Sequence, residues 1–118
     1  MATINYATNT TVHSSPSMGG VNWLLLTTTN ADGQALRVDD KRDRSVSVSG
    51  TFGVGGTLVI QGSNDGVNWY TLSDLQGSAL SFTAAGLKGV AESPVWIRPF
   101  ISGGDGTTSL DVYYVAKG

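Results

Sequence analysis

The sequence contains one histidine, His13, and no cysteine. A nucleophilic relay needs its imidazole fixed between a hydroxyl or thiol and a carboxylate. His13 instead lies in a Thr- and Ser-rich stretch with little to pack it, and reads as a solvated side chain. Zinc requires three or four converging ligands, which one histidine without cysteine does not supply. The carboxylates Asp39, Asp40, Asp43, Asp65, Asp74, Asp105 and Asp111 have the right chemistry for a glycosidase pair or a calcium cage. Asp65 and Asp105, however, each precede a glycine in a turn, where the side chain is used for local hydrogen bonds. No D-x-D-x-D-G loop with a distal glutamate occurs, and Glu92 is the sole Glu. The run Gly53-Val54-Gly55-Gly56-Thr57-Leu58 lacks the third glycine of a dinucleotide loop, and no glycine run continues into Lys-Ser or Lys-Thr. Asn9-Thr10-Thr11 is a glycosylation sequon only if the chain is secreted by a eukaryote. The expectation is of no catalytic, cofactor-binding or metal site, and of no enzyme.

The elements that would carry any site read as strands. In Arg44-Ser45-Val46-Ser47-Val48-Ser49-Gly50-Thr51-Phe52, Val46, Val48 and Phe52 share one face and the serines the other, a period of two. Gly53 to Gly56 supplies a turn and Thr57 to Gln61 a returning strand. Ser63-Asn64-Asp65-Gly66 is the strongest hairpin signal, because Asx and Gly accept the positive φ of tight turns. Asn64, Asp65 and Gly66 are therefore assigned a structural turn, with Val67 to Leu72 as the third strand of a meander.

Further strands are expected at Val21 to Thr28, Ser78 to Thr83, Val95 to Ile101 and Leu110 to Val115. Pro99 places its strand at an edge or bulge, since proline cannot donate to a ladder. Ala84 to Gly89, with two glycines, reads as a loop. The spacing predicts an all-β fold, an antiparallel β-sandwich of jelly-roll type with seven or eight short strands. Val46, Val48, Phe52, Trp69 and Ile97 are its expected core, together with Trp23, while Tyr113 is left open. Trp69 and Tyr70 point to opposite faces, so one of the two rings is expected at the surface.

A chain of 118 residues has room for one domain with a core. Without cysteine its stability must come from packing or partners. Net charge is −2 and 14% of residues are charged, which gives no electrostatic footprint for nucleic acid or an anionic membrane. Met1 to Tyr6 has neither a basic nor an apolar leader region, and the apolar run Trp23 to Leu26 is too short to span a bilayer. Residues 1–20 are polar, with Pro16 and Gly19-Gly20 before the first clear strand. They are read as a flexible N-terminal arm ahead of a single domain over residues 21–118. The arm is either a frayed terminus or a segment that orders on a partner through Ile4, Tyr6, Val12 and Met18. The mixed-sign run Asp39 to Arg44 reads as a solvated loop.

Two stretches carry a resemblance. Asp43-Arg44-Ser45-Val46 through Gly50-Thr51-Phe52-Gly53, then Gln61-Gly62-Ser63-Asn64-Asp65-Gly66-Val67-Asn68-Trp69, resembles small structural proteins of tailed phages. Ile97-Arg98-Pro99 followed by Ser102 to Thr107 and a closing strand is similar to the same group, so the likeness covers residues 43 to 116. It implies a capsid decoration, or cement, protein that binds the outer shell of an assembled capsid as an oligomer. The implied partners are the major capsid protein and further copies of the chain, as a dimer or trimer. Its implied location is the virion exterior, after synthesis in the bacterial cytoplasm. The resemblance carries over no catalytic residue. The alternatives are a small carbohydrate-binding sandwich module, since the Ser63 to Trp69 loop is also similar to discoidin-like modules, and a tail or head-fibre protein.

Overall fold

The computed structural model describes residues 3–8, 18–37, 43–92 and 94–117. Among them lie ten strands and no helix: β1 (Tyr6–Thr8), β2 (Met18–Leu26), β3 (Leu36–Arg37), β4 (Asp43–Thr51), β5 (Thr57–Ser63), β6 (Tyr70–Thr71), β7 (Ser81–Phe82), β8 (Gly86–Gly89), β9 (Trp96–Gly103) and β10 (Ser109–Lys117). One sheet has the order β1-β2-β10-β4-β8; the other runs β3-β9-β5-β6, with β7 also on β5. Every strand pair is antiparallel. The chain changes sheet at most connections, in the jelly-roll manner, and the fold is the β-sandwich that the alternation predicts. The strand number exceeds seven or eight because β1, β3, β6 and β7 are only two or three residues long.

The alternation sets which side chains fill the space between the sheets. Val46 and Val48 of β4, with Leu110 and Val112 of β10, face Leu58 and Ile60 of β5 and Ile97 and Ile101 of β9, all almost wholly buried. Each such side chain contributes about 1.5–3 kcal/mol. Trp23 is also buried, donates from Nε1 to the Gln34 carbonyl at 3.0 Å, and meets Tyr6 edge-on at 6.1 Å. Gly33 is held to a hydrogen side chain by close approach: a Cβ there would stand 2.6 Å from Pro99 and 2.7 Å from Trp23.

Several expectations are corrected. β4 and β5 are not adjacent strands of a meander, because Gly53 and Gly55, at φ of 71° and 70°, carry the chain from one sheet to the other. Both strands have an apolar face, and placing them in opposite sheets lets those faces cover each other. The third expected strand shrinks to β6, paired as Gln61↔Thr71 and Gly62↔Tyr70, so Asn64–Trp69 form a longer loop. Phe52 is only half-buried at the core's margin, and Trp69 is half-buried outside it. Pro99 lies neither at an edge nor at a bulge of the β5 ladder. It is fully buried opposite Ile60, and its carbonyl turns away from β5 to accept from Gly33 N at 2.9 Å. Its missing N–H faces the same side, so the ladder with β5 loses no bond. The expected loop at Ala84 to Gly89 contains strand β8, paired with β4. Arg44 is not in a solvated loop; it sits in β4, buried, and donates to the Glu92 carbonyl at 2.9 Å.

Residues 3–8 and 18–20 belong to the sandwich and are not an arm. β1 pairs with β2, Ile4 N donates to the Asp32 carbonyl at 2.9 Å, and Gln34 N donates to the Ile4 carbonyl at 2.7 Å. Ile4 and Tyr6 pack against the domain's own core, and Met18 opens β2 opposite Lys117. Val12 and His13, with Asp39, Asp40, Lys41 and Arg42, lie outside the described residues.

Candidate functional site

Three loops meet at one end of the sandwich, and Asp105 joins them. Its Oδ1 accepts from the backbone N of Thr107 at 2.8 Å and from Thr107 Oγ1 at 2.6 Å; its Oδ2 accepts from Val54 N at 2.9 Å. Thr108 Oγ1 receives Asp105 N and donates to the Phe52 carbonyl at 2.7 Å, and Thr28 Oγ1 donates to the Asp105 carbonyl at 3.4 Å. The Thr107 hydroxyl, with the Val54 and Thr107 amides, holds the Asp105 carboxyl at about 2, below its ordinary 3.8. With its oxygens committed to local donors, Asp105 fastens the β4–β5 and β9–β10 turns and leaves Val54, 81% exposed, at the tip.

The same end carries a distortion that no turn residue announces. Leu110 pairs with Leu26 and Val112 with Trp23, so Leu24 and Leu25 together oppose Asp111: a β-bulge. Leu25 adopts φ of 61°, the left-handed region that a non-glycine residue enters at about 1–2 kcal/mol. Asp111 Oδ1 accepts from Leu25 N at 2.9 Å and steadies that backbone. The result is a Leu24-Leu25 pair turned to solvent, Leu25 to 64%.

The opposite end is built on Asp65. Oδ1 accepts from Ser63 Oγ at 2.9 Å and from Val67 N and Asn68 N at 2.8 Å each; Oδ2 accepts from Asn68 Nδ2 at 2.8 Å. The Asn68 and Val67 amides, then the Ser63 hydroxyl, hold its carboxyl far below the ordinary range. Gly66 adopts φ of 76° and donates to Ser63 Oγ at 2.9 Å, while Asn64 Oδ1 accepts from Val95 N at 3.1 Å. The loop therefore shapes itself around Asp65 and is tied by Asn64 to the approach to β9. Beside it lies an open depression of about 430 Å³, lined by this loop, Tyr70, Leu72, Glu92 and Pro94.

On the outer face of the β5–β9 sheet, guanidinium groups cover the rings. Arg98 lies over Trp69 at 4.3 Å with its Nε bonded to Gln61 Oε1 at 2.9 Å, and Arg37 lies over Trp96 at 5.9 Å. Stacking accounts for Trp69 leaving the core, since a half-exposed tryptophan keeps its area covered and gains a cation–π contact. Burial lowers the pKa of Arg98, and the charge of Asp32 opposes that shift.

Two further carboxylates also serve the backbone. Asp74 Oδ1 accepts from Gln76 N and Ser78 N at 2.9 and 3.0 Å, and Glu92 Oε1 accepts from Ser73 N at 2.7 Å. Among the described residues no three His, Cys, Asp or Glu side chains are grouped to hold a metal ion, and no helix is long and apolar enough to cross a membrane. Sequence reasoning found the Asp65 and Asp105 turns through their Asp-Gly pairs. It missed the Leu25 bulge, which has no local signal, and the depression, whose Glu92 and Pro94 reach the loop only through the fold.

No protein-family model and no curated protein matches the chain. Among solved structures it is similar to protein NMB1881 from Neisseria meningitidis, at 11% identity and a TM-score of 0.40, over 95% of this chain and 83% of that one. It is also similar to CoII HppE in complex with Tris buffer, at 14% identity and a TM-score of 0.41, over 98% of this chain and 56% of that one. Likenesses this distant carry nothing about activity or partners.

Proposed function

We propose that the chain is a structural virion protein that attaches to the outer surface of an assembled phage capsid and stabilises it, as the resemblance over residues 43 to 116 implies. The observation that favours this reading is the end of the sandwich built on Asp105. There, a turn fastened by Asp105 holds Val54 in solvent and a bulge of β2 steadied by Asp111 does the same for the strained Leu25, 81% and 64% exposed. A lone exposed apolar side chain needs no explanation. Apolar side chains on a turn and a bulge this constrained, one of them in an unfavourable backbone state, suit a surface that is buried in an assembly. Fixed loops also lose little entropy on docking.

A decoration protein acts by linkage. It binds the closed lattice better than the opened one, so its binding free energy adds to capsid stability. One small footprint binds weakly, and several copies or an oligomer gain through effective concentration. Quantitative mass spectrometry of purified virions, with immunogold labelling, tests the assignment. The chain should be present in fixed proportion to coat subunits and label the head. Labelling on the tail, or a trace amount, contradicts it.

A further inference from the structure

We infer that the depression beside the Asp65 loop is a binding subsite for a neutral hexose residue of a polysaccharide, a role separate from attachment to a capsid. Five features at one place carry this. Tyr70 is 69% exposed at the lip, and among the described residues no cation lies over its ring, unlike Trp69 and Trp96. A bare aromatic face is what the C–H face of a pyranose packs on. The floor, Leu72 and Pro94, is apolar and buried, so it stays dry when covered.

The rim is polar and already fixed. Asn64 spends its amide oxygen on Val95 N, which leaves its Nδ2 as a donor. Asn68 spends its Nδ2 on Asp65, which leaves its Oδ1 as an acceptor. Vicinal hydroxyls each donate and accept, so adjacent donor and acceptor groups suit them. Asp65, which accepts from Asn68 N and Nδ2, and Val95 N, which donates to Asn64, keep the rim in shape without ligand. Among the described residues the lining includes Asp65 and Glu92 but no Lys or Arg, which disfavours anionic sugars and phosphates. The volume, about 430 Å³, falls in the range of about 300–1,000 Å³ common for small-ligand sites.

Native affinity electrophoresis of the intact chain tests the assignment, with gels containing a neutral β-glucan, a galactomannan, a dextran or, as the polyanion arm, alginate. Retarded migration in at least one neutral gel is expected, with no retardation in alginate. Tyr70→Ala, at an exposed position, should keep the melting temperature and weaken binding about tenfold or more. Asn64→Ala should weaken it as well, and Val54→Ala, at the far end of the sandwich, should leave it unchanged. Unchanged migration in all three neutral gels overturns the inference. So does retardation that a folded Tyr70→Ala variant retains, or retardation by alginate alone.

Discussion

At the scale of single residues, exposure and backbone state decide what a side chain is for. Leu25 has the wrong conformation for leucine and the wrong exposure for a hydrophobe. Glycine enters the left-handed region without the Cβ clash, so Leu25→Gly should raise stability by about 0.5–1 kcal/mol, read as a higher urea midpoint. On the capsid reading the same change removes a contact and weakens retention on capsids. A variant that loses stability would show that Leu25 is held by packing rather than strained. The core makes the complementary case. Ile97→Ala, at 1% exposure, should cost about 2–5 kcal/mol by chemical denaturation. Trp69→Ala removes mainly a surface stack with Arg98 and should cost less, about 1–2 kcal/mol. Equal losses at the two sites would place Trp69 in the core after all. The sequence marked Val46, Val48, Ile97 and Trp23 correctly because a period of two reports which face is buried. It misplaced Trp69 because a ring that stacks on an arginine from another strand looks, in sequence, like any buried ring.

The next scale is that of turns and strands, where acidic residues do the joining. Asp105 has a folded pKa near 2 against an ordinary 3.8, so its bonds favour the native state above the unfolded value. That contribution is complete above about pH 4 and disappears as pH falls toward about 2. The melting temperature of the protein should therefore drop across this interval, and Asp105→Asn should melt lower at pH 7 with a shallower acid dependence. An unaltered acid profile in that variant would remove Asp105 from the account. β1 supports a second expectation. Ile4 and Tyr6 cover Trp23 and the β2 edge, so deleting residues 3–8 should lower stability and expose tryptophan, seen as red-shifted fluorescence. A deletion that melts like the full chain would restore these residues to a separate arm. Asp-Gly pairs made both loops legible, since their chemistry is local. Partner choice was not legible: the same alternation fits β4 beside β5 or β4 across from β5, and only the need to cover both apolar faces separates the two.

For the whole molecule, the two ends of the sandwich offer different chemistry. One end shows Val54 on a turn fastened by Asp105 and Leu25 on a bulge held by Asp111; the other shows a polar depression with an exposed tyrosine. A two-ended domain of this kind can sit on a lattice by one end and leave the other in solvent. The central claim is that it binds and strengthens a capsid, and the most direct measurement is the rupture temperature of capsids prepared without the chain, before and after adding it back. Genome release can be followed by a dye that reports exposed DNA. The account predicts saturable uptake in fixed proportion to coat subunits and a higher rupture temperature, with a smaller rise for Leu25→Gly or Val54→Asp. Failure of the intact chain to bind, or binding that leaves the rupture temperature where it was, would contradict it.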